Sequence, residues 1–502
     1  MLVIISDLHL TDGTTGRTLD SGAFRIFAER LQDLAVRASW RSDETYRPID
    51  KIDVVLLGDV LDLIRSNLWH KDQTRPWDSI NSVELSNRVS EITGRTLANN
   101  GESLAVLNAM ANNGVIQIPQ ASNSGYPNYE TSMFEVPVHM HYMVGNHDWF
   151  LHLQGAEYDL IRKHVADAMG LVTDSNRPFP HDPDECPLLR TALANHRVCA
   201  RHGDIFDPIN FSGNRDESSL GDAIVLELVN RFVADVQHRF GNELPHATLS
   251  GLQQIDHIRP LLLIPTWIDG LLQRTCPQRS LHREIKSIWD AAADRFLELP
   301  IVRQQDSWHP FEVVDGLEQL LKFSRSLSIS WSSRITEWLY SIRGAKSASY
   351  VKHALAEPDF RNRRAKHVVY GHTHSQETVA LDASYADGLM LSQTYFNSGT
   401  WRRVHLPTEL APDGQEFLPS EMMSYLTFFQ ADERQGRSYE IWSGMLGAMP
   451  SPVRRVRLDS AQNVVSMKKP VQTQKTPPLK QPHFLSPTST PLHGIPQLPQ
   501  GQ

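Results

Sequence analysis

Short apolar runs of strand length recur along the chain. Leu2 to Ile5, Val54 to Leu57, Val198 to Ala200 and Val368 to Tyr370 carry β-branched residues and do not alternate with polar ones. A strand without alternation is apolar on both faces, so these runs predict strands covered on both sides, as in a helix-flanked sheet. Val136 to Val144 is a fifth candidate and alternates more. Between the first two runs, Phe24, Phe27, Leu31 and Leu34 fall three or four residues apart, which predicts an amphipathic helix. Strands alternating with helices define an α/β chain.

Two stretches interrupt this pattern. Residues 70–135 separate the second and third strand runs, and Ala121 to Asn128 within them has the Asn/Ser/Gly content of a surface loop. The larger stretch, 206–360, is mostly helical in spacing, as in Ala223, Leu226, Val229, Val233 and Val236, and holds Trp267, Trp289, Trp308, Trp331 and Trp338. Its most apolar part, Ile258 to Leu272, is broken by Pro260 and Pro265 and is too short to span a bilayer. It is expected to be buried core, with a lid or a membrane-surface contact as the alternative. After Gly371, LMLSQTYFNSGTW, YLTFFQ, SYEIWSG and PVRRVRL predict an antiparallel closing set. From residue 460 the chain has no acid, four lysines and many prolines and glutamines, a composition that cannot offset chain entropy by burial. The expected organisation is a discontinuous core over 1–205 and 361–458, a helical insertion or cap over 206–360 and a disordered tail over 459–502.

Charge and cysteine content narrow the class. Lys+Arg number 49 against 58 Asp+Glu, a net charge of −9, which disfavours a broad nucleic-acid binder. Cys186, Cys199 and Cys276 share no metal or redox spacing, which fits a reducing compartment and no disulfide scaffold. MLVIISDLHL has no basic start and turns polar after five apolar residues, so it is expected to be a first strand rather than a leader. The expected location is cytoplasmic, with membrane-peripheral contact as the variant.

Each strand run ends in residues of metal-ligand type. Asp7 and His9 follow the first, Asp59 and Asp62 the second, Asn146, His147 and Asp148 the third, His202 and Asp204 the fourth, His372 and His374 the fifth. Open α/β sheets bind ligands beyond the carboxyl ends of their strands, so the five ends predict one shared site. Asp, His and Asn without Cys supply oxygen and nitrogen donors suited to manganese, iron, zinc or magnesium. Seven or more ligands exceed the needs of one tetrahedral ion and suit two ions bridged by a carboxylate, an arrangement for phosphoryl transfer to water. Taken singly, GD is a common turn and GHTH a plausible surface loop. Five such motifs in order, each after an apolar strand, are not explained by turns. His139 and His141 are expected to fill the third strand. Asp62 and Asp204 are divided between support of the site and turn capping, and Asp12 and Asp20 are expected to be loop residues. The basic run Arg361, Arg363, Arg364 and Lys366 is expected to be a solvated helix end, with an anion contact at the edge of the site as the sharper alternative.

DLHL, GDVLD, GNHD, HGD and GHTH, with the closing FNSGTW, resemble the calcineurin-like metallophosphoesterase family. The resemblance implies a sandwich of two mixed β-sheets flanked by helices. It implies two divalent ions, manganese first, one held by Asp7, His9, Asp59 and His374 and the other by Asp59, Asn146, His202 and His372. His147 then protonates the leaving group or steadies the transition state, and Asp148 orients it. The implied reaction is hydrolysis of a phosphoester or pyrophosphate bond by a bridging hydroxide. The SDLHL and HGD forms are most similar to UDP-2,3-diacylglucosamine hydrolases. The chain differs from these in having His147 where they carry arginine, and in the spacing of 170 positions from His202 to His372. The expected substrate is a phosphorylated small molecule, a nucleotide or a nucleotide–lipid, with nucleic acid not favoured. The alternative, a silent scaffold docking partners through its helical insertion, conflicts with a ligand set from which nothing is missing.

Overall fold

The computed structural model describes residues 1–16, 18–259, 263–306, 350–386, 389–407 and 417–445. The expected tail, PVRRVRL, Pro260, Leu262, Trp308, Trp331 and Trp338 lie outside them. The chain is mixed α/β. Its principal strands are β1 (Leu2–Ile5), β2 (Ile52–Leu57), β3 (Val138–Met143), β4 (Val198–Ala200), β5 (His367–Tyr370), β6 (Glu377–Ala386), β7 (Leu389–Asn397), β8 (Arg403–Pro407), β9 (Phe417–Phe428) and β10 (Tyr439–Met445). All five expected ligand-bearing strands form. The third starts at Val138 because Pro137 has no N–H for the ladder, although its carbonyl accepts from Ile52 N–H at 2.9 Å.

Two mixed sheets result. The first runs β8-β9-β1-β2-β3, with β10 also on β9; β1, β2 and β3 are parallel and β9 antiparallel to β1. The second runs β6-β7-β5-β4, with β4, β5 and β7 parallel and β6 antiparallel. The closing strands are therefore not one antiparallel set: β7 joins β5 in parallel, while β8, β9 and β10 close the first sheet. Absence of alternation in the strands has the expected cause. Leu2, Ile4, Val55 and Leu57 share a core with Val198, Ala200 and Val369 of the second sheet, while Val3, Ile5, Val54 and Leu56 face the helices.

Helix α1 (Ser21–Ala38) begins where the Asp20 carboxylate accepts from Gly22 N–H at 2.7 Å, so Asp20 caps a helix rather than decorating a loop. Phe24, Phe27, Leu31 and Leu34 are all buried, the first two against the Trp401 ring. The insertion builds a core of its own from α2 (Arg231–Phe240), α3 (Ile264–Thr275) and α4 (Arg279–Leu297). Leu220–Ala223 enters α2 through a π-helical turn, Ile224–Asn230. Ile264, Trp267, Ile268, Leu271, Leu272 and Trp289 are buried. Their burial in the insertion's own core is what the core expectation requires of these side chains. Among the described residues no helix is long and apolar enough to cross a membrane.

His367 opens β5 and is buried among Phe396, Phe428 and Tyr439, with no hydrogen-bond partner on either ring nitrogen. Burial holds its pKa down to about 3. A histidine neutral when folded but titrating near 6.5 when unfolded leaves stability intact above about 6.5 and removes it as pH falls toward 3. His367→Phe is expected to raise stability by about 1–2 kcal/mol at neutral pH, since two unpaired polar atoms leave the core. It should also flatten the loss between neutral and acid pH. Urea unfolding at pH 7 and pH 4.5 checks both; an equal loss on acidification in the two proteins would refute the second.

Candidate metal centre

Five loops leave the carboxyl ends of β1 to β5 and converge. Asp7, His9, Asp59, His372 and His374 all hold backbone φ between 47° and 68°, the left-handed region that non-glycine residues avoid. Interlocking bonds hold them there. Asp7 N–H donates to Gly58 C=O at 3.1 Å and His9 N–H to Asp59 C=O at 2.9 Å. His147 N–H donates to Asp59 Oδ1 at 2.8 Å and His372 N–H to Asp7 Oδ2 at 3.1 Å. The FNSGTW segment closes the ring, with Thr400 Oγ1 donating to Asp7 C=O and Asn397 Nδ2 to Gly371 C=O. At Gly145 a Cβ would stand 2.3 Å from Asp59 Oδ1 and 2.8 Å from Asp59 N. Gly145→Ala is therefore expected to displace Asp59, costing about 2–3 kcal/mol as overpacking does and lowering bound metal. Urea unfolding with metal analysis tests this; an unaltered metal content would refute it.

Two groups of ligand-type side chains share Asp59. Asp7, His9, Asp59 and His374 form one; Asp59, His202 and His372 form the other. In the first, His9 Nε2 is 3.6 Å from Asp59 Oδ2 and His374 Nε2 is 3.3 Å from Asp7 Oδ1. In the second, His202 Nε2 is 3.2 Å from Asp59 Oδ2. Asn146 is buried beside the second group, bonded through Nδ2 to Asn210. Asp7 Oδ1, Asn146 Oδ1 and His202 Nε2 are buried atoms without a hydrogen-bond partner, so the donor set fits cations as its missing partners.

The far nitrogens set the near ones. His202 Nδ1 bonds Leu57 C=O at 2.9 Å and His9 Nδ1 bonds Asp62 Oδ2 at 2.9 Å, which leaves Nε2 of each as the acceptor a metal requires. His374 differs. Arg259 Nη2 lies 2.9 Å from its Nδ1, and arginine can only donate, so the proton of a neutral His374 sits on Nε2. Holding a cation through that Nε2 requires the Arg259 contact to open.

Asp148 does not orient His147. It accepts from Gly145 N–H, Val60 N–H and Tyr142 Oη, tying the second and third loops together. Asp62 takes the expected role: its Oδ1 lies 2.7 Å from His147 Nδ1 while Oδ2 holds His9. Burial alone would lower the His147 pKa, but Asp62 and Asp59 overcome it and push it up to about 9. Burial alone would raise the Asp59 carboxyl; His202 and His147 instead hold it well below the usual carboxylate range. Burial raises Asp7 and Asp148 to about 6 each and lowers His9 to about 4. Asp204 braces the fourth loop through Arg215 at 2.6 Å.

Several site residues carry no motif. Asp207 Oδ2 is 3.3 Å from His372 Nε2, and Asn210 Nδ2 is 3.5 Å from it. Arg65 and Arg402 pair with Asp256 of the insertion, and Arg402 reaches within 3.9 Å of Asp62. Of these only Asp207, the first aspartate after HGD, offered a sequence signal, and a weak one. The basic run before β5 lies at the strand's amino end, opposite the loops. There Arg364 pairs with Asp359 at 2.8 Å and Arg361 bonds Leu355 C=O, so the anion-contact alternative is corrected. His141 meets Asp53 at 3.2 Å and is strand filling, as expected.

No protein-family model matches the chain, and no characterised protein matches it at a significant level.

Proposed function

We propose that the chain is a metal-dependent phosphoesterase of the calcineurin-like type, its two mixed sheets forming that family's sandwich. The observation that supports this most directly is the shared carboxylate: Asp59 stands in both ligand groups, with His147 alongside. Asp7, His9, Asp59 and His374 would hold one divalent ion, and Asp59, Asn146, His202 and His372 the other, manganese being the first choice. Bound there, such ions supply Lewis-acid activation of water and offset charge on a phosphoryl group. His147, protonated against Asp62, donates a proton to the leaving oxygen or steadies charge on the phosphoryl oxygens. Asp62 positions both His147 and His9.

Arg259 comes from the insertion and is held by Asp256 C=O and Ile258 C=O; were its Nη2 contact with His374 to open, that nitrogen would be left beside the site for a substrate anion. Arg259→Ala is expected to raise KM about 10-fold or more, the value of a charge-assisted hydrogen bond, with metal content unchanged. Steady-state kinetics with metal analysis checks it; an unchanged KM would remove Arg259 from substrate binding. The substrate class stays a phosphorylated small molecule, nucleotide or nucleotide–lipid. The activity is tested by assaying Mn²⁺-loaded protein on bis(p-nitrophenyl) phosphate, p-nitrophenyl phosphate, a UDP-sugar lipid and single-stranded nucleic acid. Hydrolysis of none by a two-ion protein would favour the scaffold alternative.

A further inference from the structure

Among the described residues, one cluster of ligand-type side chains shares no residue with the centre above: His152, His181 and Glu185. His152 ends the 3-10 turn Trp149–His152 that follows the third loop, and Glu185 ends the 3-10 turn Pro183–Glu185. His152 Nε2 and His181 Nδ1 face each other at 3.3 Å. Glu185 Oε1 lies 3.1 Å from His181 Nδ1, and Glu185 Oε2 lies 3.7 Å from His152 Nε2. Ligands placed tetrahedrally about 2.0–2.1 Å from zinc stand about 3.3 Å from one another. The two ring nitrogens already stand at that edge length, and Glu185 faces both of them with one oxygen each, at 3.1 and 3.7 Å.

Their outer partners prepare them for it. Asp216 Oδ1 lies 2.7 Å from His152 Nδ1, so in the neutral ring, the form that binds a metal, that nitrogen donates and Nε2 keeps its lone pair toward the cluster. Glu185 Oε2 accepts from the backbone N–H of His181 at 2.9 Å and of Asp182 at 3.3 Å, which fixes the carboxylate. Without an ion the cluster is held by a proton on His152 Nε2 or His181 Nδ1, and the Glu185 and Asp216 carboxylates favour the charged His152; one cation would take that proton's place and serve all three side chains. The side chains are 16%, 24% and 37% exposed in the order His152, His181, Glu185, so an ion and a water as fourth ligand have access.

We propose that His152, His181 and Glu185 form a separate divalent-cation site for a borderline metal such as Zn²⁺. It would pin the loop after β3 to the turn before Pro187–Asn195 and, through Asp216, to the start of the insertion. This does not depend on the phosphoesterase reading. Equilibrium dialysis of the full chain against Zn²⁺, with metal analysis, should show one ion fewer per chain in His152→Ala/His181→Ala than in the unsubstituted protein. The same one-ion difference should persist in an Asp59→Asn/His202→Ala background, which separates the two centres. Zn²⁺ should raise the melting temperature of that background by several degrees, and not once the cluster is also removed. Equal zinc content with and without the cluster would overturn the proposal and leave a hydrogen-bonded relay. If a variant fails to fold, anomalous scattering from Zn²⁺-grown crystals of the unsubstituted chain decides. A peak between His152 Nε2 and His181 Nδ1 supports the site, and its absence overturns it.

Discussion

Asp59→Asn should reduce turnover by about 10³-fold or more, since under the proposed function the change would strip a pair of ions of their common ligand. One carboxylate stands 3.2 Å from His202 Nε2 and 3.6 Å from His9 Nε2 while its other oxygen fixes the His147 backbone. Asparagine is nearly isosteric but neutral, and its amide presents a donor where an acceptor is required on one side. Loss of charge also removes a force that raises His202 and His147, so both should titrate at lower pH in the variant. Metal analysis, kinetics and histidine NMR test these in turn. Two ions per chain with a near wild-type rate would rule out a bridging role.

His147→Ala should slow catalysis by about 10²–10⁴-fold, the usual cost of an acid–base group, with both ions retained. The defect should shrink on esters with good leaving groups, which need little protonation. The acidic form of His147 is the working one, so the rate should fall as pH rises through its pKa. Asp62 and Asp59 raise that pKa to about 9, and bound cations would bring it back down. In His147→Ala this alkaline limb should vanish. In Asp62→Asn it should move to lower pH, because a neutral partner no longer favours the imidazolium. A limb unmoved in Asp62→Asn would show that Asp62 is structural only.

Much of this architecture was legible in the residues. Unalternating runs marked strands covered on both faces, and Leu2, Ile4, Val3 and Ile5 show why: two different cores need apolar residues of both parities. The ligands were legible because each follows its strand directly, and parallel strands carry successive loops to the same edge. Phe24, Phe27, Leu31 and Leu34 marked a helix because their spacing matches its turn. The insertion's apolar stretch was legible as apolar, but not as to whether it faced inward; that required the neighbouring helices.

Local order determines what backbone geometry imposes on near neighbours; only the folded chain decides which distant side chains face one another. Asp148 adjoins His147 in sequence, yet in the tight loop its carboxylate turns to Gly145, Val60 and Tyr142. Asp62, 85 residues away, meets the imidazole instead. Arg259 reaches His374 across 115 residues, and Arg402 reaches Asp256 across 146. Such pairs have no characteristic spacing, because loop lengths between them are free to vary while the contact is set by packing. The five strand ends were thus determined by sequence, through periodicity and short-range order. The orientation of His147, the arginines beside the candidate centre and the His152–His181–Glu185 cluster were decided by tertiary structure, which alone brings remote charges within hydrogen-bond reach.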